Sequence, residues 1–271
     1  MLFFSGAKGP KGRNCKLGRG VAHPAACEIK ELCGRTLEIS DKSYLWNMAH
    51  FTRDYLDFFI ELAPNNNKEW FDANRKRYEA SVKKPFTVFV QRMVSNFGKY
   101  DKRYNDLDAG ACIFRINRDI RFAKDKSPYK LFCSAVIAPN GKKSDSVHGI
   151  YFELGPEAVR VYGGIYEIDK DGIIAVREGI AENLATFKKL QNDAEFKEVY
   201  GTIRGERNKL LPVELKAAAA KEELIFNKQW YFMTEFPAEE LLSDNLDALL
   251  ERCYHAGKPL ELFFNQFIQR S

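Results

Sequence analysis

The sequence predicts an α+β fold: N-terminal helices, a central antiparallel sheet of about four strands, and C-terminal helices. Two observations carry this. Apolar residues recur at helical spacing toward both ends of the patterned chain, whereas the middle holds short aromatic and β-branched runs bounded by turn residues. The order helices, strands, helices, with short links between strands, fits segregated layers and an antiparallel meander.

The elements follow in order. Residues 1–47 are rich in Gly and Lys and lack periodicity, so they are expected to form an unstructured extension outside the native domain. Residues 48–271 are expected to form a single α+β domain. Patterning begins at Met48. Thr52 is a plausible N-cap for a helix with a Tyr55, Leu56, Phe59, Ile60 and Leu62 stripe, ended by Pro64 and three asparagines. A second helix is expected from Lys68 to about Val82, and a third from Pro85 through Phe97. Four strands are then expected, in "ACIFRINRDIRF", "LFCSAVIAP", "HGIYFELG" and "EAVRVYGGIYEI". Gly155-Pro156 marks a tight turn, and Gly163-Gly164 marks a bulge or a close backbone approach, the bulge being the preferred reading. Helical texture returns near Asp171, with Asn183 and Asp193 as N-caps. Residues 201–222 read as a loop with a short helix, and Pro237 opens two closing helices.

Composition narrows the function classes. The chain has 271 residues and a formal charge of +5. Residues 1–47 hold eight Lys/Arg against four Asp/Glu, which leaves only +1 for the rest. A nearly neutral body weakens the case for a polyanion partner. No run approaches the roughly 18 apolar residues of a membrane helix. The opening apolar run is too short for a signal core, and its basic residues follow it, so a cytoplasmic protein is expected. The six cysteines include no CxxC pair, and Cys112, Cys133 and Cys253 read as buried free thiols; Cys15, His23, Cys27 and Cys33 fit no standard zinc spacing. No metal site is expected, and no cofactor is indicated. His148 reads as structural, and Trp70 and Trp230 as core.

The segment "FRINRDIRFAKDKSPYK" concentrates the charge. As a strand, it would put Phe114, Ile116, Ile120 and Phe122 on one side, interrupted by Arg118. Arg115, Asn117, Asp119 and Arg121 would occupy the other. Arginine forks on such a face can hold anions. A solvated face with cross-strand ion pairs would show the same pattern. In the functional reading Arg115 and Arg121 clamp phosphate or carboxylate, and Asp119 orients them or acts as a base. Lys124, Lys126 and Lys130 close over the anion, and Tyr129 forms a polar aromatic wall. The expected partner is a small anionic ligand, bound by an enzyme or a binding protein. The alternatives are a nucleic-acid-binding or protein-interaction module.

"WFDANRKRYE", the charged segment, the strand pair "GIYFELGPEAVRVYGGIYEI" and "NKQWYFMTEFPAEELLS" together resemble the domain of unknown function 2461 family, a group of conserved hypothetical proteins. The resemblance covers about Phe51 to Ile268. It implies one cytoplasmic α+β domain and no established activity. The strand pair has Gly-Pro-Glu-Ala where the family often has a glycine-rich turn. The first 47 residues match nothing in the family, which suggests a start assigned too early.

Overall fold

The computed structural model describes residues 49–143 and 149–268. The expected extension, its Cys15/His23/Cys27/Cys33 set and His148 lie outside them.

Helix α1 (Arg53–Leu62) starts at Thr52, whose hydroxyl makes no capping bond. Tyr55, Leu56, Phe58, Phe59 and Leu62 are its buried residues. Helix α2 (Lys68–Ala73) is capped by Asn67, whose side chain accepts the Trp70 N–H at 2.9 Å. The sequence predicts a break before Pro85. Instead α3 (Arg75–Arg77) runs through a π-helical turn, Tyr78–Lys83, into α4 (Lys84–Gly98). Proline lacks an N–H and its ring clashes with the carbonyl four residues back, and a wider turn just before it relieves both conflicts. The short helix α5 (Ala109–Cys112) ends this layer.

The sheet holds β1 (Cys133–Ile137), β2 (Ile150–Leu154), β3 (Ala158–Ile165) and β4 (Trp230–Pro237), antiparallel in that spatial order. The number of strands agrees with the sequence, but their identity differs. Residues 111–122 do not form a strand, while "WYFMTEFP", which local reading leaves unassigned, supplies β4. Its pairing with β3 crosses the whole intervening helical segment, so no short-range turn signal announces it.

One sheet face is apolar. Ala135, Ile137, Phe152, Leu154, Val159, Val161, Trp230 and Phe232 are buried there. Phe152 meets Phe86 and Phe89 of α4 at ring separations of 6.2 and 6.1 Å. Tyr55 of α1 donates its hydroxyl to the Leu154 carbonyl at 3.0 Å. After β3 come α6 (Lys170–Glu182), α7 (Leu184–Gln191), α8 (Ala194–Tyr200) and α9 (Val213–Ala219). Asp193 caps α8 through the Glu195 and Phe196 amides at 3.0 and 3.1 Å. In place of two closing helices there is a 3₁₀ segment, Ala238–Leu242, and one 20-residue helix, α10 (Leu246–Asn265), which carries Pro259 inside it.

Helix α10 explains Gly163-Gly164. The β3–β4 register is unbroken from Ala158↔Pro237 to Ile165↔Trp230, so there is no bulge. The alternative, close approach, holds. A Cβ on Gly163 would lie 2.4 Å from the Phe232 ring and 2.7 Å from Glu261 Oε1. Glu261 itself accepts the amides of Gly164 and Gly149 at 3.1 and 3.0 Å.

Candidate functional site

After α5 the chain doubles back as an arm along the edge of β1. Ile113 bridges Ala135, and Asn117 bridges Tyr129. Four residues separate those positions on the outgoing limb and six on the returning limb, so the ladder cannot stay in register. Pro128 also lacks an N–H. What remains is a set of single bonds: Phe114 N–H to Ser134 O at 3.0 Å, Lys130 N–H to Ile116 O at 2.8 Å, and Arg118 N–H to Pro128 O at 2.9 Å. Alternation survives without the strand. Arg115, Asn117, Asp119 and Arg121 are exposed, whereas Phe114, Ile116, Arg118 and Ile120 are half-buried. Phe122 breaks the pattern and is 95% exposed.

Most of the arm's charges hold the arm together. Arg121 bonds Asp119 through Nε at 3.0 Å and Nη2 at 2.7 Å, and this holds the Asp119 carboxyl below its usual range. Arg118 pairs with Asp125 and donates to the Ser127 carbonyl at 3.1 Å. Asp125 in turn accepts the Ser127 amide and hydroxyl at 2.9 and 2.7 Å; these bonds, with Arg118, push its pKa far down. Lys126 donates to the Ile120 carbonyl at 2.9 Å. Tyr129 is only 6% exposed and stacks on Phe71 at 4.0 Å, while Asn66 brackets its backbone at 2.9 and 3.1 Å. Lys124 is exposed. Neither it nor Arg115 has a hydrogen-bond or ion-pair partner among the described residues.

Lys130 differs from the other cations of the segment. Its ammonium lies 5.5 Å from the Phe114 ring centre and 5.8 Å from that of Phe132. No acceptor or counter-ion within bonding distance meets it among the described residues. Burial pushes its pKa down, the charge of Glu153 opposes this, and the nearby Arg115 charge adds to it.

Lys130 stands at the rim of the second sheet face, which is polar. There Glu153 of β2 sits opposite Arg160 of β3, and Tyr151 opposite Tyr162. Glu153 accepts the Tyr151 hydroxyl at 2.7 Å and the Tyr162 hydroxyl at 3.5 Å. Burial raises both phenols, Tyr162 to about 12. Arg160 pairs with Glu235 of β4 at 2.7 Å and with Glu157 at 3.2 Å. A cleft of about 400 Å³ opens between the arm and the β2–β3 turn. Lys130, Glu153, Arg118 and Arg160 all line it, with Asp125 and Glu157 among the other walls.

Of the residues singled out in the sequence, Arg118, Tyr129 and Lys130 thus reach the cleft. Arg115, Asn117, Asp119, Arg121, Lys124 and Lys126 lie along the arm outside its lining. Sequence reasoning missed Tyr151, Glu153, Arg160 and Tyr162. Their signal was present: in "GIYFELG" and "AVRVYGG" the polar side chains occupy alternate positions of adjoining strands. Among the described residues no group of three or more His, Cys, Asp or Glu comes together as a metal site. Cys112, Cys133 and Cys253 are free and buried, and burial raises their thiols to about 11, 12 and 12.

A family model described as conserved hypothetical protein (DUF2461) matches residues 54–263. The match spans most of the chain, and the chain belongs to that family. No curated protein and no solved structure matches it. No helix among the described residues is long and apolar enough to cross a membrane.

Proposed function

We propose that this member of the family binds a small phosphate- or carboxylate-bearing ligand where the arm meets the polar sheet face, with Lys130 as its anion donor and Arg115, outside the cleft lining, adding positive charge nearby. One observation carries the reading: among the described residues a half-buried ammonium stands in the cleft without an acceptor, and the Arg115 charge acts on it. Removing a charge from water is costly unless something pairs with it, and two adjacent cations repel. An arriving anion offsets both costs. Arg121 is occupied by Asp119, so in this reading it does not clamp the ligand.

The cleft favours a compact ligand over a nucleic-acid chain. Its cations Arg118, Lys130 and Arg160 are matched in number by Asp125, Glu153 and Glu157. A polyphosphate backbone needs a continuous basic track.

A thermal-shift screen of phosphate, pyrophosphate, nucleotides, sugar phosphates and small carboxylates at matched ionic strength tests this. One or more should raise the unfolding midpoint saturably. Lys130→Met should weaken that binding by about 10- to 150-fold, the loss expected for one charge-assisted hydrogen bond of roughly 1.5–3 kcal/mol. An undiminished response in Lys130→Met overturns the assignment.

A further inference from the structure

We propose that Lys130 is a nucleophilic amine, and that the ligand is an anionic aldehyde or ketone whose carbonyl carbon it captures as an imine. This rests on the anion-site reading above and adds a reaction to it.

The surroundings of Lys130 are those that make a lysine react. A lysine becomes a nucleophile when its ammonium is desolvated in an apolar pocket or placed beside another cation. The first condition holds: burial of the half-buried ammonium at the cleft wall lowers its pKa and prevails over the opposing charge of Glu153, while the Arg115 charge adds a smaller push the same way. Lys142 provides an internal contrast. Its ammonium approaches the same Phe114 ring, at 6.0 Å, yet it donates to the carbonyls of Ile113 and Gly110 at 2.6 and 3.0 Å. Two lysines therefore share one ring; Lys142 donates to two carbonyls, whereas Lys130 makes no such bond among the described residues.

The proton has a place to go. Glu153 lines the cleft together with Lys130, and its carboxylate is oriented by Tyr151 and Tyr162. Glu153 takes a proton from the ammonium. The freed lone pair attacks the carbonyl carbon, a C–N bond forms, and the C=O π pair moves to oxygen. One of the two protons on the now positively charged nitrogen moves to that oxygen, giving the neutral carbinolamine. Glu153 returns its proton to the hydroxyl, water leaves, and the nitrogen lone pair closes the C=N bond. In sum, ammonium plus carbonyl gives protonated imine plus water, with no oxidant or reductant. Arg115, outside the cleft lining, adds positive charge near the ligand's anionic group.

The test uses the full chain with pyridoxal 5′-phosphate, an anionic aldehyde, at one equivalent and neutral pH. Borohydride reduction fixes any imine, and peptide mass mapping locates it. Lys130 should carry most of the adduct, more than any other lysine, Lys142 included, since burial lowers its pKa and so raises its neutral amine fraction. Lys130→Arg should lose the adduct while inorganic phosphate still raises its unfolding midpoint. Label spread over exposed lysines, with the phosphate response intact, overturns the nucleophile and leaves the anion site standing. Loss of both from the folded wild-type chain overturns both.

Discussion

Replacing Glu261 with glutamine should flatten the pH dependence of stability between about pH 4.5 and 8. The side chain lies on α10, 2% exposed, with its carboxyl against the amides of Gly149 and Gly164. Those two donors and the charge of Lys258 favour the carboxylate. Burial opposes them and prevails, raising the pKa from 4.5 to about 8. The folded chain therefore keeps a proton that the unfolded chain releases. Below about pH 4.5 both states hold the proton and the group costs nothing. Between the two pKa values stability falls as pH rises, because the folded state binds more protons. Three and a half pH units at 1.36 kcal/mol each make the full loss about 5 kcal/mol, which levels off above pH 8.

Urea unfolding of both proteins at pH 5, 6, 7 and 8 provides the measurement. Other titrating groups are common to both chains, so the difference between the two isolates position 261. Glutamine has one acceptor oxygen, and its amide nitrogen would face one of the two backbone donors. A constant penalty of about 1–3 kcal/mol is therefore expected at every pH. On top of it, the variant should gain on the wild type by about 1.4 kcal/mol per pH unit as pH rises. Parallel stability curves would refute the reasoning, since they would mean that Glu261 ionises alike in the folded and unfolded chains.

Gly163→Ala should destabilise by about 1–3 kcal/mol in urea, because its methyl would collide with the Phe232 ring and the Glu261 carboxyl. Tyr129→Ala should cost about 3 kcal/mol by the same assay, since it removes a buried ring stacked on Phe71. Arg121→Ala, which breaks only an exposed pair with Asp119, should leave the thermal midpoint and any anion response unchanged. A chain beginning at Met48 should unfold at the full chain's urea midpoint, because the described core runs from Phe51 to Phe264; a loss above about 1 kcal/mol counts against this.

The sequence made the layers legible because their signals are local. The α1 stripe (apart from Ile60, which is exposed, and Phe58, which joins it), the Asp193 cap and the Gly155-Pro156 turn each lie within a few residues of what they specify. The fold departed from that reading where distant residues decide. Strand β4 depends on pairing with a β3 far back in the chain. Pro85 stands in the first turn of α4 as expected, but no break precedes it, because a π turn makes room for the ring. Gly163 is required by a carboxyl on α10, almost a hundred residues later, and not by its own strand.

The arm shows why charge density is a poor locator of a site. Five of its charged side chains, Arg118, Asp119, Arg121, Asp125 and Lys126, bond to one another or to the arm's own backbone. A loop that cannot complete a ladder needs such bonds to hold its shape, and that need alone produces an unusually charged sequence. A site calls for the reverse: a charge kept from water and left unpaired. Lys130 fits that description because aromatic side chains on either side of it, Phe114 and Phe132, meet its ammonium, while the polar face beside it is assembled from alternate positions of two adjoining strands. The proposed site rests on a different pattern: a cation set among aromatic residues at the end of the charged segment, next to a strand pair with alternating polar positions.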